Sequence, residues 1–176
     1  YSGKPIINSV NGKTESMEAV FPIVKKYGAS VVALTLDESG IPEKAEQRVE
    51  IAKKIIEKAS EYGIPKEDIL VDCLVLTAST NQHTVMETLK AVSMVKNTLG
   101  VKTVLGVSNV SFGLPQRPLV NSTFLASAFG CGLTAPILNP LSKEYMDVVN
   151  SFRLLNNEKN SMDNFIAKYS EMKSDT

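Results

Sequence analysis

A chain of 176 residues with 43% apolar and 22% charged side chains carries enough apolar material for one sizeable core, which excludes a disordered segment. Nineteen basic residues balance nineteen acidic ones, so no global positive field exists to hold nucleic acid or an anionic membrane. The longest apolar runs are strand-length and interrupted by charge, well short of the roughly 20 residues a membrane helix needs, and no signal-peptide pattern opens the chain. Cys73 and Cys131 are isolated, with no CxxC spacing and no secretory context. They point to reduced thiols in a cytoplasmic protein and to no metal in this segment.

In chain order, a β-rich run at residues 5–9 comes first, followed by a helical pattern over 17–27 that stops at Gly28. Pro22 lies inside that pattern, where it removes a backbone donor and crowds the preceding turn, so a kink or restart is expected. The second run spans 30–36, and Pro42, after Gly40, suits the first turn of a long helix whose apolar face is Ile51, Ile55, Ala59 and Tyr62 and whose end is Gly63. The third run, 69–74, precedes a helix with Val85, Leu89, Val92, Val95 and Leu99 on one face, closed by Gly100. The fourth run, 103–107, passes into the stretch GVSNVSFGLPQR at 106–117, and a helical pattern then ends at Gly130 to Gly132. A fifth run at 135–138, a helix at 144–155, and a polar Asn- and Lys-rich tail with one short helical piece near Phe165 complete the chain.

The runs are almost continuously apolar, as in strands covered on both faces. Strand then helix, five times over at spacings of roughly 30 residues, makes parallel β/α units with right-handed crossovers. Two arrangements fit: five of the eight units of a closed barrel, or a five-stranded doubly wound open sheet.

Four of the five runs end near a polar residue at the same point of the unit: Asn8, Asp37, Asp72 and Asn109. Strand C-termini of parallel β/α folds open on one face, so these residues converge on one rim. Asparagine presents an acceptor and two donors and a carboxylate presents acceptors only, a set suited to a heterocycle with amide-like edges and an exocyclic amine, such as a pterin. Ser111 and Arg117 share a Gly- and Pro-punctuated loop with Asn109, where Arg117 either holds an anionic ligand tail or braces the loop. Asn8, Asp72 and Asn109 also read as loop caps. Asp37, ahead of Glu38, Ser39 and Gly40 and a helix start, reads as structural. His83, the only histidine, reads as a solvated surface residue. No phosphate loop, HExxH or Ser/His/Asp arrangement is present, which leaves hydrolase and nucleotide-phosphate functions without support.

Taken together, INSV at 7–10, VVALTLDESGIP at 31–42, VDCLVLTAS at 71–79 and GVSNVSFGLPQR at 106–117 resemble the pterin-binding domain of the cobalamin-dependent methionine synthases and the methyltetrahydrofolate:corrinoid methyltransferases. The resemblance implies a TIM-type (β/α)₈ barrel that binds methyltetrahydrofolate at its C-terminal rim, of which residues 1–155 are the last five units and residues 156–176 a tail or linker. It implies that Asn8 and Asp72 hydrogen-bond the pterin ring, that Asn109 lies near N5, and that Arg117 lies near the folate.

The implied reaction is transfer of the N5 methyl to cob(I)alamin in methionine synthesis, with Asn109 favouring the protonated N5 that makes tetrahydrofolate a leaving group. The corrinoid is then bound by another domain or partner, the first three β/α units are supplied from outside this segment, and the segment alone is inactive. A stand-alone corrinoid/iron-sulfur methyltransferase is the alternative enzyme, and a non-catalytic pterin-binding or structural fragment is the alternative of another class. Dihydropteroate synthase shares the barrel, but its Lys-bearing loop and its Ser-Arg and Arg-x-His motifs are not found in this sequence.

Overall fold

Every β-rich run forms a strand, and every strand is followed by a helix. The computed structural model describes residues 2–170. Its strands are β1 (Ile6–Asn11), β2 (Ser30–Leu34), β3 (Ile69–Asp72), β4 (Lys102–Gly106) and β5 (Ala135–Ile137). Its helices are α1 (Thr14–Tyr27), α2 (Ala45–Glu61), α3 (His83–Met94), α4 (Arg117–Gly130), α5 (Lys143–Leu155) and α6 (Ser161–Tyr169).

The strands are all parallel and lie side by side in chain order. That order decides between the two arrangements. A doubly wound sheet reverses its winding at an internal strand and puts helices on both faces, whereas strands that always add on the same side, with right-handed crossovers, put every helix on one face. The fold is therefore a run of parallel β/α units of a TIM-type barrel, with the other sheet face turned to the lumen side. Among the described residues the wall does not close, since β1 and β5 each pair on one side only.

The core lies between sheet and helices. Val31, Ala33, Ile69, Val71, Cys73 and Leu105 point from the strands into a layer containing Phe21, Val24, Ala52, Ile55, Val92 and Leu125. Residues of the opposite parity face away from the helices, where Val32 and Val104 are buried at 4% and 3% exposure. Leu34, Leu70 and Asp72 are only half-buried, and Ile137 on the β5 edge is 51% exposed.

Several local expectations need correction. Pro22 neither stops nor restarts α1, which runs unbroken through it. The carbonyl it leaves without an N–H partner belongs to Glu18, an exposed residue that water can satisfy. Pro42 lies ahead of α2 instead of in its first turn. The helix begins at Ala45, whose N–H donates to the Glu87 carboxylate of α3 at 2.7 Å, so the cap comes from a neighbouring helix. Strand β2 stops at Leu34, where Leu36 N–H turns back to the Leu34 carbonyl. Beyond α5 the short helical piece expected near Phe165 is α6. Helix α6 docks on α5 through Tyr169, whose hydroxyl donates to Asp147 and accepts from Asn150 Nδ2 at 3.3 Å. The last part of the expected tail, residues 171–176, lies outside the described residues.

Gly12, between β1 and α1, is required by close approach. Its N–H donates to Leu36 O at 2.8 Å, and a Cβ there would lie 2.8 Å from Ile51 Cγ2 and 2.9 Å from Leu36 O. One of those contacts is backbone and cannot swing away. Gly12→Ala should lower stability by about 1–3 kcal/mol, read as a fall in Tm of roughly 2–4 °C per kcal/mol for a chain of this size. An unchanged Tm would show that the β1–α1 turn has room to spare.

Candidate functional site

Asp72 is the last residue of β3, in register with Leu34 on one side and Val104 on the other. Its neighbours Val71 and Cys73 point into the helix-side core, so alternation turns the Asp72 side chain to the helix-free face. One carboxylate oxygen, Oδ1, accepts the Leu74 N–H at 2.8 Å. The Leu74 N–H belongs to the planar peptide that follows Cys73, and Leu74 itself is left-handed with φ of 60°.

Among the described residues no lysine or arginine forms an ion pair with Asp72. Burial pushes its carboxyl up to about 6, against the opposing pull of the Leu74 N–H. Burial likewise pushes the adjacent Cys73 thiol up to about 12, which makes it an inert core residue. A half-buried carboxylate without a cation, with oxygen lone pairs still open, is suited to N–H donors brought by a ligand.

Asn8 reaches the same face by way of a bulge. It pairs with Val32 while Val10 pairs with Ala33, so three residues of β1 oppose two of β2. In a regular strand Asn8 and Val10, two apart, would face the same way. The extra residue lets Val10 enter the core while Asn8 faces the lumen side with Val32, and the side chain is exposed there. The Asn8–Ser9 peptide is cis. Asn8 and Asp72 thus stand on one face, two strands apart, across roughly 10 Å of sheet at the usual strand spacing.

Past β4 the chain makes a 3-10 turn over Val107–Ser111, and exposed Asn109 sits on it. The turn folds the Asn109 amide back over the strand end, where a Cβ at Gly106 would meet Asn109 Nδ2 at 3.1 Å. The two other residues of this loop hold it together. Ser111 is fully buried, donates to Ser108 O at 3.3 Å, and accepts from Arg117 Nε at 3.0 Å. Arg117 also donates from Nη2 to Ser108 O at 3.2 Å and stacks 4.7 Å from the Phe112 ring. Of the two roles open to Arg117 in the sequence, the structure displays bracing.

The loops after β3 and β4 are clasped together. Thr77 Oγ1 and Ser79 Oγ both donate to Phe112 O, at 2.7 and 2.8 Å, and Ala78 N–H donates to Val110 O at 2.9 Å. This clasp brings Asn109 alongside the loop that leaves Asp72. Asp37 stays out of the group: its carboxylate accepts Ser39 N–H at 2.9 Å and its backbone exchanges hydrogen bonds with Gly40. His83 is exposed at the start of α3. Among the described residues no cluster of three or more His, Cys, Asp or Glu could hold a metal, and no helix is long and apolar enough to cross a membrane.

Sequence reasoning missed Arg48. Its guanidinium is fully buried under the end of β3, with Nε donating to Pro42 O at 2.9 Å and Nη1 to Cys73 O at 2.8 Å, Leu74 O at 3.0 Å and Thr88 Oγ1 at 2.8 Å. Burial lowers the affinity of the guanidinium for its proton. A signal for it was available: Ala45, Arg48, Ala52, Ile55 and Ala59 recur at helical spacing, so Arg48 interrupts the apolar stripe of α2.

Methionine synthase of Mycobacterium leprae is 37% identical over 150 residues, covering 78% of this chain and 12% of the relative. Methionine synthase of Mycobacterium tuberculosis is 36% identical over 150 residues, covering 78% of this chain and 13% of the relative. Methylcorrinoid:tetrahydrofolate methyltransferase of Eubacterium limosum is 28% identical over 147 residues, covering 82% of this chain and 54% of the relative. The chain thus spans about an eighth of the two synthases and about half of the methyltransferase. The family described as pterin binding enzyme matches residues 1–139, almost the whole of the five-unit wall, and the chain belongs to that family.

Proposed function

We propose that this chain forms part of the folate-binding wall of a methyltransferase that moves the N5 methyl of methyltetrahydrofolate to cob(I)alamin in methionine synthesis. The observation that carries this reading is the Asp72 carboxylate, half-buried and without a cation among the described residues, on the same sheet face as Asn8. Family membership and the methyltransferase relatives support it. The remaining units of the barrel and the corrinoid site come from other parts of the protein or from a partner, in the cytoplasm.

The residues divide the task by their chemistry. Asp72 accepts N–H groups of the pterin, and an acceptor of this kind selects a ring edge rich in donors. Asn8 supplies both a donor and an acceptor from the second side. Asn109, on its turn at the rim, hydrogen-bonds N5. As the N5–methyl bond breaks, its electron pair stays on nitrogen, and N5 takes a proton to leave as tetrahydrofolate. An amide oxygen that accepts from the N5–H as it forms favours the transition state over the ground state. The corrinoid supplies the cobalt nucleophile when it is bound.

Calorimetric titration of methyltetrahydrofolate into a polypeptide carrying this chain within a closed barrel tests the reading. Saturable one-site binding is expected, with thermal protection of about 2.7 kcal/mol at 100 times Kd. A closed barrel that neither takes up heat nor gains protection would leave the wall a structural element.

A further inference from the structure

We infer that Arg48, with Thr88, is a positioning residue for the pterin site, acting on the Asp72 carboxylate through the backbone of Leu74. The inference rests on the reading of Asp72 as a folate contact. It starts from an unusual arrangement. A guanidinium with no exposed surface lies under the strand end with no carboxylate paired to it among the described residues. Its partners are three carbonyls and a hydroxyl, and Nη2 has no partner among the described residues. Burying a charge in this way is costly, so a purely space-filling role would be met better by an apolar side chain.

What Arg48 holds explains its presence. Two of its acceptors are the carbonyls of Cys73 and Leu74, the two residues directly after Asp72. Leu74 has φ of 60°, a conformation that leucine disfavours because its Cβ crowds the backbone. Its N–H shares one planar peptide with the Cys73 carbonyl, so the bond from Arg48 Nη1 to Cys73 O orients the N–H that meets Asp72 Oδ1. The Leu74 carbonyl accepts from Arg48 Nη1 at 3.0 Å and from the Thr88 hydroxyl, which accepts from Arg48 and shares its one hydrogen between Leu74 O at 3.1 Å and Thr84 O at 2.9 Å. From the other side, Thr35 fixes the backbone of Asp72 itself, with N–H and Oγ1 both donating to Asp72 O at 3.1 and 3.0 Å.

The carboxylate is therefore aimed by a chain of bonds: Arg48 holds the Cys73–Leu74 peptide by its carbonyl, the N–H of that peptide fixes Oδ1, Arg48 and Thr88 hold the Leu74 carbonyl that follows, and Oδ2 is left for the ligand. Bonds from α2 and α3 converge on one loop residue. That is the arrangement expected of a site whose precision is set from behind. Glu87, the nearest carboxylate to Arg48 on α3, is engaged elsewhere, accepting the Ala45 N–H and lying 3.8 Å from Lys44.

The test uses Arg48→Met, which keeps much of the stem and removes every donor, and Thr88→Val, which removes one hydroxyl and keeps the shape. Each is placed in the closed-barrel polypeptide alone and together with Asp72→Asn. Two readouts are taken: hydrogen exchange of the Leu74 amide relative to the β3 amides, and Kd for methyltetrahydrofolate. The expected result is faster Leu74 exchange in both variants. Binding should be roughly tenfold weaker for Arg48→Met and about threefold weaker for Thr88→Val, with both penalties vanishing when Asp72→Asn is present, since contacting residues on one path are not additive. Arg48→Lys should recover part of the loss. Equal penalties with and without the Asp72 carboxylate, or unchanged Leu74 exchange, would overturn the inference. Should Arg48→Met fail to fold, Thr88→Val decides on the same two readouts. If Leu74 exchange quickens while Asp72→Asn itself binds folate like the parent, the failure lies in the reading of Asp72 and the relay loses its purpose.

Discussion

Asp72→Asn yields a protein that is harder to melt at pH 8 and poorer at holding folate. The stability half follows from titration. Burial raises the folded-state carboxyl from an ordinary 3.8 to about 6, so the folded protein binds the proton more tightly than the unfolded chain does. For such a group the cost of folding is absent below about pH 4, where both states are protonated. It grows as pH rises toward 6 and is complete above that, at about 3 kcal/mol. Asparagine removes the charge and still offers Leu74 N–H an acceptor. The expected gain at pH 8 is about 1–3 kcal/mol after the unpaired amide hydrogens are counted, or roughly 2–4 °C in Tm per kcal/mol. The gain should shrink steadily when melting is repeated toward pH 4.5. Neither neighbour of the carboxyl interferes in that window, since the Cys73 thiol titrates at about 12 and the guanidinium of Arg48 keeps its proton.

The binding half runs the other way. A charged hydrogen bond contributes about 1.5–3 kcal/mol, so the variant should bind methyltetrahydrofolate roughly 10- to 150-fold more weakly. Parent affinity should rise between pH 5 and 7, as the carboxylate forms, and the variant's should stay flat. A Tm difference independent of pH would contradict the burial argument, and unchanged affinity would remove Asp72 from the site.

Asn109→Ala separates rate from binding. Its amide is exposed in the free protein and carries no structural bond comparable to those of Ser111 or Arg117, so the turn should survive the loss. If its hydrogen bond strengthens as N5 acquires a proton, the ground state loses little and the transition state loses much. Methyl transfer should slow by about 10²- to 10³-fold, the range found when one preorganised hydrogen-bond donor is removed, while folate affinity falls only a few-fold. Single-turnover methyl transfer measured beside equilibrium titration distinguishes the two. Parallel losses in both would make Asn109 a binding residue only.

The units of this fold were legible because local chemistry marks them. Apolar runs placed five strands, and Gly28, Gly63 and Gly100, all left-handed, ended helical segments as written in the sequence. Which strand lies beside which was not legible, since spacing alone fits both a doubly wound sheet and a barrel wall. At the site, Asp72 and Asn8 could be placed on a shared rim, but not the bulge that turns Asn8 against Val10, which depends on pairing with β2. Asp37 reads as structural from its place ahead of Glu38, Ser39 and Gly40, and its carboxylate is indeed spent on the Ser39 N–H after the chain turns at Leu34. Arg48, like the bulge, escaped notice for a physical reason. Its acceptors lie 25 and 26 residues away on a loop, and sequence shows a charge on a helix without the carbonyls it answers.

The clasp between the loops after β3 and β4 has a kinetic side. Because Phe112 O takes bonds from both Thr77 and Ser79, and Val110 O takes the Ala78 N–H, neither loop can lift without breaking bonds to the other. The loop leading from Asp72 and the turn carrying Asn109 are therefore expected to move together, since separating them breaks three hydrogen bonds. If Asp72 and Asn109 hold folate as proposed, the clasp couples the two contacts, so that loosening one side loosens the other.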